Sequence, residues 1–245
     1  MTTPQEATAL AKAAASGGVG SKQELLRFLR KEKVRRPDLV IAHGIPLLDA
    51  PRALGDEVWT VYEQVFKAAL DTARDDVAYK CIGALEAKFP GTTRVRLLTG
   101  MHAAYHGDFE AAESINKAIL AENPANVLAM KLQIASAKAQ NKPAVVIRLL
   151  NTYLETFAGD PDAWQELAEL QAGLGNYEAA AFCYEELVLL SPRSPHHHCR
   201  LAELYHTAGG SDNVLKARKQ FAVSLECCRE GNTRALLGLC AACVA

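Results

Sequence analysis

Three clusters in this chain carry side chains capable of chemistry: His196-His197-His198-Cys199, Cys227-Cys228 and Asp75-Asp76. Imidazole and thiolate are metal ligands, and paired carboxylates suit acid–base work. Neighbouring residues on a helix point about 100° apart, so a run of adjacent histidines and a cysteine does not converge on one ion without ligands from elsewhere. Cys227-Cys228 fails in the same way, and no Cys-x-x-Cys pair supports either cluster. Asp75-Asp76 lies in a turn ahead of a helical run, where a carboxylate satisfies free N–H groups, and it reads as a cap. No Gly-rich phosphate loop, His-Glu-x-x-His helix or strand-turn nucleophile occurs. The expectation is therefore no enzyme, no catalytic residue, no metal and no cofactor.

The elements that position these residues follow from composition and periodicity. The chain has 245 residues, half of them apolar, enough for a substantial core. Its 27 Lys and Arg against 28 Asp and Glu leave a formal charge of -1, without the one-signed field that nucleic acid requires. The longest apolar stretch, Ala235 to Ala245, is far short of the roughly 20 residues that span a bilayer. The N-terminus lacks a basic start followed by an apolar run, so it does not read as a secretory signal. Seven cysteines without framework spacing read as reduced thiols in a reducing compartment.

Residues 1–20, with several glycines and no apolar period, read as a disordered leader. Ser21 and Glu24 form a capping-box pattern ahead of Leu25, Leu26, Phe28 and Leu29, with Pro37 ending that helix. A short helix from Asp38, interrupted around Gly44 to Pro46, completes an N-terminal segment over 21–55. From Asp56 a period of 34 appears. Pro90, Pro124, Ala158 and Pro192 mark the turns between repeats. Gly107, Asn141, Gly175 and Gly209 mark the turns within them, where a left-handed residue closes a helix. Gly100, Ile134, Ala168 and Ala202 are equivalent positions of close helix approach. The segment from Asp162 to Pro192, with Trp164, Leu167, Ala168, Gly175, Tyr177, Ala180, Tyr184, Leu190 and Pro192, fits the tetratricopeptide pattern most fully.

The expected fold is all-α: a tetratricopeptide-repeat (TPR) superhelical solenoid of antiparallel helix pairs over 56–245. Its repeats fall at about 59–92, 93–126, 127–160, 161–194 and 195–231, with an unpaired helix at 232–245. Ala217 and Phe221 come three residues late, which places an insertion in the turn from Gly209 to Asn213. The final helix is apolar at Leu236, Leu237, Leu239, Cys240 and Val244. Those residues pack back on the last repeat, or dock a partner, or precede further chain.

Several stretches go beyond the generic repeat: Gly55-Asp56-Glu57-Val58-Trp59-Thr60-Val61-Tyr62-Glu63-Gln64-Val65, Phe89-Pro90-Gly91, Arg94-Val95, Leu98-Thr99-Gly100-Met101, Trp164 to Leu170 and Ala180-Ala181-Phe182-Cys183. From about Asp56 onward the chain resembles the family of subunit 2 of the endoplasmic reticulum (ER) membrane protein complex. The resemblance implies a non-catalytic scaffold, peripheral on the cytoplasmic face of the ER membrane, in a complex that inserts transmembrane helices and tail anchors. The partners it implies are cytosolic segments of membrane-embedded subunits and a peripheral cytosolic subunit. The competing reading is a free-standing TPR adaptor or co-chaperone that binds peptide segments of soluble partners.

First helices of stacked repeats line the concave face of a solenoid, so partner contacts are expected at Arg94, Met101, Tyr105, Lys131, Lys138, Gln165, Glu169, Glu203 and His206, with Leu97 and Cys199 on the same face. Leu97 with Met101, and Gln165 with Glu169, stand where a co-chaperone's carboxylate clamp needs Lys, Asn and Arg, which disfavours that role. Arg27, Arg30, Lys31, Lys33, Arg35 and Arg36 form the dense basic run. Arg30, Lys31 and Lys33 are its candidates for contact with anionic lipid, beside the plainer reading of a solvated helix end.

Overall fold

The computed structural model describes residues 3–244, which form α-helices joined by short turns. They fall into two compact units that meet at Leu132/Gln133, inside one helix.

The first unit contains α1 (Thr3–Ser16), α2 (Val19–Lys31), α3 (Pro37–Leu48), two single 3₁₀ turns (Pro51–Ala53 and Gly55–Glu57), α4 (Val58–Asp71), α5 (Asp75–Lys88), α6 (Thr93–Tyr105) and α7 (Phe109–Glu122). The start of α8 (Val127–Ala139) also belongs to it. Its core joins Leu25, Leu26 and Leu29 of α2 to Val61, Val65 and Phe66 of α4 and to Ala78, Cys81 and Leu85 of α5. The second unit contains the rest of α8, then α9 (Pro143–Thr156), α10 (Pro161–Gly173), α11 (Tyr177–Leu190), α12 (Pro195–Ala208), α13 (Ser211–Cys227) and α14 (Thr233–Val244). Successive helices pack as pairs, α4 on α5, α6 on α7, α10 on α11 and α12 on α13. Each pair buries an apolar stripe that neither helix covers alone.

Three of the turns inside the pairs repeat one backbone solution. Gly209, expected in the same set, departs from it, with φ 75° and ψ 179°, its own N–H on the Tyr205 carbonyl at 3.2 Å, and Gly210 also at positive φ. Residues 107, 141 and 175 all have positive φ (81°, 52° and 81°). The next N–H in each case reaches back five residues: Asp108 to Ala103 at 2.9 Å, Lys142 to Ala137 at 3.2 Å and Asn176 to Gln171 at 3.0 Å. This is a Schellman closure, which satisfies carbonyls left free at a helix end. One step of 34 before Gly107 lies Ala73, with φ of 56° and the matching bond from Arg74 to Ala69 at 2.8 Å. The turn register thus extends one repeat further back, in a residue whose Cβ opposes that conformation. Ala73→Gly is expected to stabilise the protein. Relief of a left-handed alanine, about 1–2 kcal/mol, exceeds the roughly 0.5–1 kcal/mol entropic cost of glycine. A urea midpoint that falls instead would show that the turn tolerates alanine without strain.

Four expectations are corrected. Residues 3–16 are not a disordered leader but helix α1, because Ala7, Leu10, Ala11 and Ala14 form a stripe at i, i+3, i+4 and i+7 that packs on the core. Ala7 and Ala14 are fully buried; the stripe escapes hydrophobicity counting because its residues are small. Ser21 does not cap α2. That helix begins two residues earlier behind Gly18, and Ser21 Oγ donates to the Gly18 carbonyl at 3.2 Å. Helix α3 runs through Gly44 and Pro46 without interruption. Gly44 is buried where a Cβ would lie 2.5 Å from Val65 Cγ2, so its bareness brings α3 onto α4, and Pro46 lies in the last turn, where little helix follows to be disrupted. The turn at Gly209 has no insertion: α13 starts at Ser211, in step with α9 and α11, and is 17 residues long against 14 for α11. The three additional residues lengthen the helix, which moves its buried positions to Ala217 and Phe221.

Candidate functional site

In the first unit, α4, the end of α5 and the start of α6 enclose a cleft of about 240 Å³ lined by Trp59, Glu63, Phe89 and Arg94 among others. Trp59 stacks on Tyr62 at 5.8 Å and meets Phe89 edge-on at 5.4 Å, with the Lys88 ammonium 5.8 Å from the Trp59 ring. Arg94 is ion-paired with Glu63, which also accepts from Lys67 Nζ at 2.7 Å. Burial alone would raise the Glu63 carboxyl. The hydrogen bond from Lys67 and the charges of Lys67 and Arg94 outweigh it and hold the carboxyl below its ordinary value. The cleft therefore combines an aromatic wall with a fixed ion pair, the combination that anchors a partner's apolar side chain and sets its orientation.

Of the other expected contacts on this unit, Met101 is half-buried against the core, Tyr105 is exposed edge-on to His106, and Lys131 is exposed on α8. Leu97 is not on a surface. It is 6% exposed and packs with Ile119 and Ala129, because it follows Val95 and precedes Leu98 on a helix that buries two sides.

In the second unit Lys138 pairs with Glu166 at 2.9 Å, and Gln165 donates to Glu169 at 2.8 Å along α10. Glu203 is gripped by Arg200 of its own helix at 2.7 Å and by Arg234 of α14. It therefore ties α12 to α14 rather than standing free. Cys199, expected beside it, is buried. His206 lines a shallow cleft with Gly209, Val214 and Arg218. A separate cleft of about 200 Å³ holds Phe182, Glu185, Tyr205 and Lys216. There the Tyr205 hydroxyl donates to Glu185, and burial together with that bond raises its pKa. On α14 the small residues Ala235 and Ala242 are buried in the Phe221 cluster and Leu239 packs against it, whereas Leu236, Leu237, Cys240 and Val244 are exposed.

The basic run is mostly engaged within the protein. Arg27 and Arg30 bond to Glu57, Arg30 also to Gln64 at 2.6 Å, Arg35 to Asp71 at 2.6 Å and Arg36 to Asp38 at 2.7 Å. Lys31 and Lys33 are exposed, whereas Arg30 is turned inward. The Arg27 hydrogen bond, ahead of its charge, holds the Glu57 carboxyl below its ordinary value. A carboxylate depressed in the folded state contributes stability that is present above its unfolded pKa, about 4.3, and is lost as pH falls through the folded value. Glu57 and Glu63 both carry this sign. Melting temperature is expected to drop below about pH 4.3, and less steeply in Glu57→Gln; parallel pH profiles would remove Glu57 from the acid response.

His198 is a packed core residue, with ring nitrogens on Gln220 at 2.7 Å and the Pro192 carbonyl at 2.9 Å, so the histidine run does not converge. Cys227 and Cys228 are exposed free thiols. Burial pushes the Cys81 thiol up to about 12 and that of Cys183 up to about 11, which makes both poor nucleophiles. The Asp75-Asp76 pair divides. Asp76 receives Arg74 at 3.0 Å, but Asp75 turns away from the backbone of α5 to meet His102 and His106, each at 3.0 Å. Sequence reading missed this trio. Its one visible signal is a His-x-x-x-His spacing on α6, and its third member lies 27 residues before His102.

Comparison with known proteins agrees with the repeat architecture. Among solved structures, the C-terminal part of a TPR repeat-containing protein from Cytophaga hutchinsonii is similar with a TM-score of 0.60, at 14% identity, over 84% of this chain and 83% of that one. A MamA crystal structure gives 0.52 at 17% identity, over 73% of this chain and 96% of that one; at such identities the likeness shows the fold alone. By sequence, ER membrane protein complex subunit 2 of Xenopus tropicalis is 41% identical over 218 residues, 89% of this chain and 73% of that protein. TPR repeat protein oca3 of Schizosaccharomyces pombe is 36% identical over 177 residues, 71% of this chain and 63% of that protein. The family model of the EMC2 TPR-like repeat domain matches residues 90–218. The chain belongs to the family of ER membrane protein complex subunit 2.

Proposed function

We propose that this chain is a non-catalytic scaffold subunit of the ER membrane protein complex, peripheral on its cytoplasmic side, in a machine that inserts transmembrane helices and tail anchors. Family membership carries the reading. Its function is to hold cytosolic segments of membrane-embedded subunits and a peripheral cytosolic subunit in one assembly. No helix among the described residues is long and apolar enough to cross a membrane. The repeats from residue 56 onward supply the gripping surface, with 21–55 packed against its first helices. On the first unit the grip centres on the Trp59–Phe89 cleft with Arg94, and extends to Met101, Tyr105 and Lys131. On the second it uses Lys138, Gln165, Glu169 and His206. Glu203 contributes by fixing α14, and the exposed Lys31 and Lys33 are the positions open to anionic lipid.

The test is co-purification from detergent-solubilised membranes. Recovery of the tagged chain in a stable complex with integral membrane subunits is expected, reduced by Trp59→Ala. Recovery with soluble chaperones alone would overturn the scaffold reading in favour of a free-standing adaptor.

A further inference from the structure

We propose that Asp75, His102 and His106 form a binding site for a divalent transition metal, zinc in the first instance, that clasps the start of α5 to the end of α6. His102 and His106 are four residues apart on α6 and so face the same side. Asp75, in the first turn of α5, brings a carboxylate oxygen to the same point. The three candidate ligand atoms form a near-equilateral triangle: Asp75 Oδ1 lies 3.0 Å from each Nε2, and the two nitrogens lie 3.2 Å apart. With Zn–N and Zn–O bonds of about 2.0–2.2 Å, a tetrahedral site has ligand–ligand edges of about 3.3 Å. The triangle needs to open by only a few tenths of an ångström.

Hydrogen bonding alone does not satisfy this arrangement. If both imidazoles donate to the carboxylate, two N–H groups confront each other. If one donates to the other ring instead, a bare nitrogen lone pair faces the carboxylate oxygen. In every tautomer one of the three contacts is unfavourable. A cation at the centre accepts all three lone pairs and removes the conflict. Two imidazoles and one carboxylate suit zinc among the abundant divalent ions, whereas magnesium and calcium prefer all-oxygen sets.

The surroundings also fit. The His102 side chain is 18% exposed and leans on buried Phe66, and Tyr105 meets the His106 ring edge-on at 5.3 Å, which fixes both rings. The Asp75 and His106 side chains are each nearly half exposed, leaving the fourth position to water. Because the ligands come from two successive helix pairs, occupancy would lock one pair to the next and stabilise the first unit by linkage.

The experiment is calorimetric titration of zinc into the full chain after chelator treatment and alkylation of the exposed cysteines. Melting curves are recorded with and without metal. Wild type is expected to bind one equivalent and melt at a higher temperature when loaded. His106→Ala, at an exposed position, should leave the apo melting temperature nearly unchanged, weaken binding by more than about tenfold and lose the thermal shift. His102→Gln should do the same, and cobalt bound by the wild type should show d–d absorption that is absent from both variants. Failure of the wild type to bind, or zinc binding that both variants retain, would overturn the proposal.

Discussion

Phe221→Ala is expected to lower the stability of the second unit by about 3–5 kcal/mol and to release α14. Phe221 is 1% exposed and packs with Cys199, Ala202, Ala217, Ala235 and Ala242, so small residues from α12, α13 and α14 surround one large ring. The fit on α14 is tight. A Cβ added at Gly238 would lie 2.3 Å from Phe221 Cζ, so the backbone of α14 rests directly on the aromatic face. Alanine at 221 leaves a void that alanine neighbours cannot fill by changing rotamer, which puts the cost at the upper part of the range for such truncations. Beside the packing of Leu239, the remaining ties at α14 are polar: Arg218 donates to the Ala242 carbonyl at 2.7 Å, Asn232 to Ser224 Oγ at 3.0 Å, and Arg234 pairs with Glu203. Exposed ion pairs contribute at most about 1 kcal/mol each and do not hold a helix whose apolar seat is lost. Hydrogen exchange checks this: α14 amides should lose protection first, with α10 and α11 less affected. A loss of less than about 1 kcal/mol would mean that the ring is not the seat of α14.

The parts of the fold that were legible in the sequence are those fixed by one residue in one turn. Pro90, Pro124 and Pro192 between helix pairs, and Gly107, Asn141 and Gly175 within them, act through their own backbone preferences and so leave a trace at constant spacing. Ala73 shows the limit. Its turn has the same geometry, but tertiary packing imposes left-handed φ on a residue that does not favour it. Helix α1 was hidden because a stripe of alanines has little hydrophobic contrast, and the length of α13 because its buried positions moved three residues while its first residue stayed in step with α9 and α11. The Asp75, His102 and His106 trio depends on the approach of two helices, which no local pattern specifies. The proposed partner surface was legible only in part: periodicity identified the first helix of each pair, but not which of its sides a neighbour covers. Leu97 and Cys199 are therefore core, and Glu203 is spent on two arginines.

Leu97 gives the sharpest division between a partner-facing and a buried side of α6, and Leu97→Asp the largest effect expected in the first unit. On an exposed face the substitution would change stability by no more than about 0.5 kcal/mol and would weaken only partner binding. In the packed position, with Ile119 and Ala129 both fully buried beside it, two costs add. Removing the isobutyl group costs about 2–5 kcal/mol as in other Leu truncations. The new carboxylate is then left in an apolar setting, and the neighbouring arginines are unsuited to rescue it. Arg94 is already paired with Glu63, and Arg96 with Glu122 at 2.7 Å, so recruiting either would break an existing bond. The aspartate must take up a proton or force α6 from α7, and either outcome is unfavourable at neutral pH. The expected result is a first unit that no longer folds, seen as loss of protected amides in α6 and α7 and as insoluble expression. Tyr105→Ser, 42% exposed at the far end of the same helix, should fold normally and is the matched control. If Leu97→Asp folds as well as Tyr105→Ser, then α6 turns its Leu97 side outward, and the partner surface would have to include it.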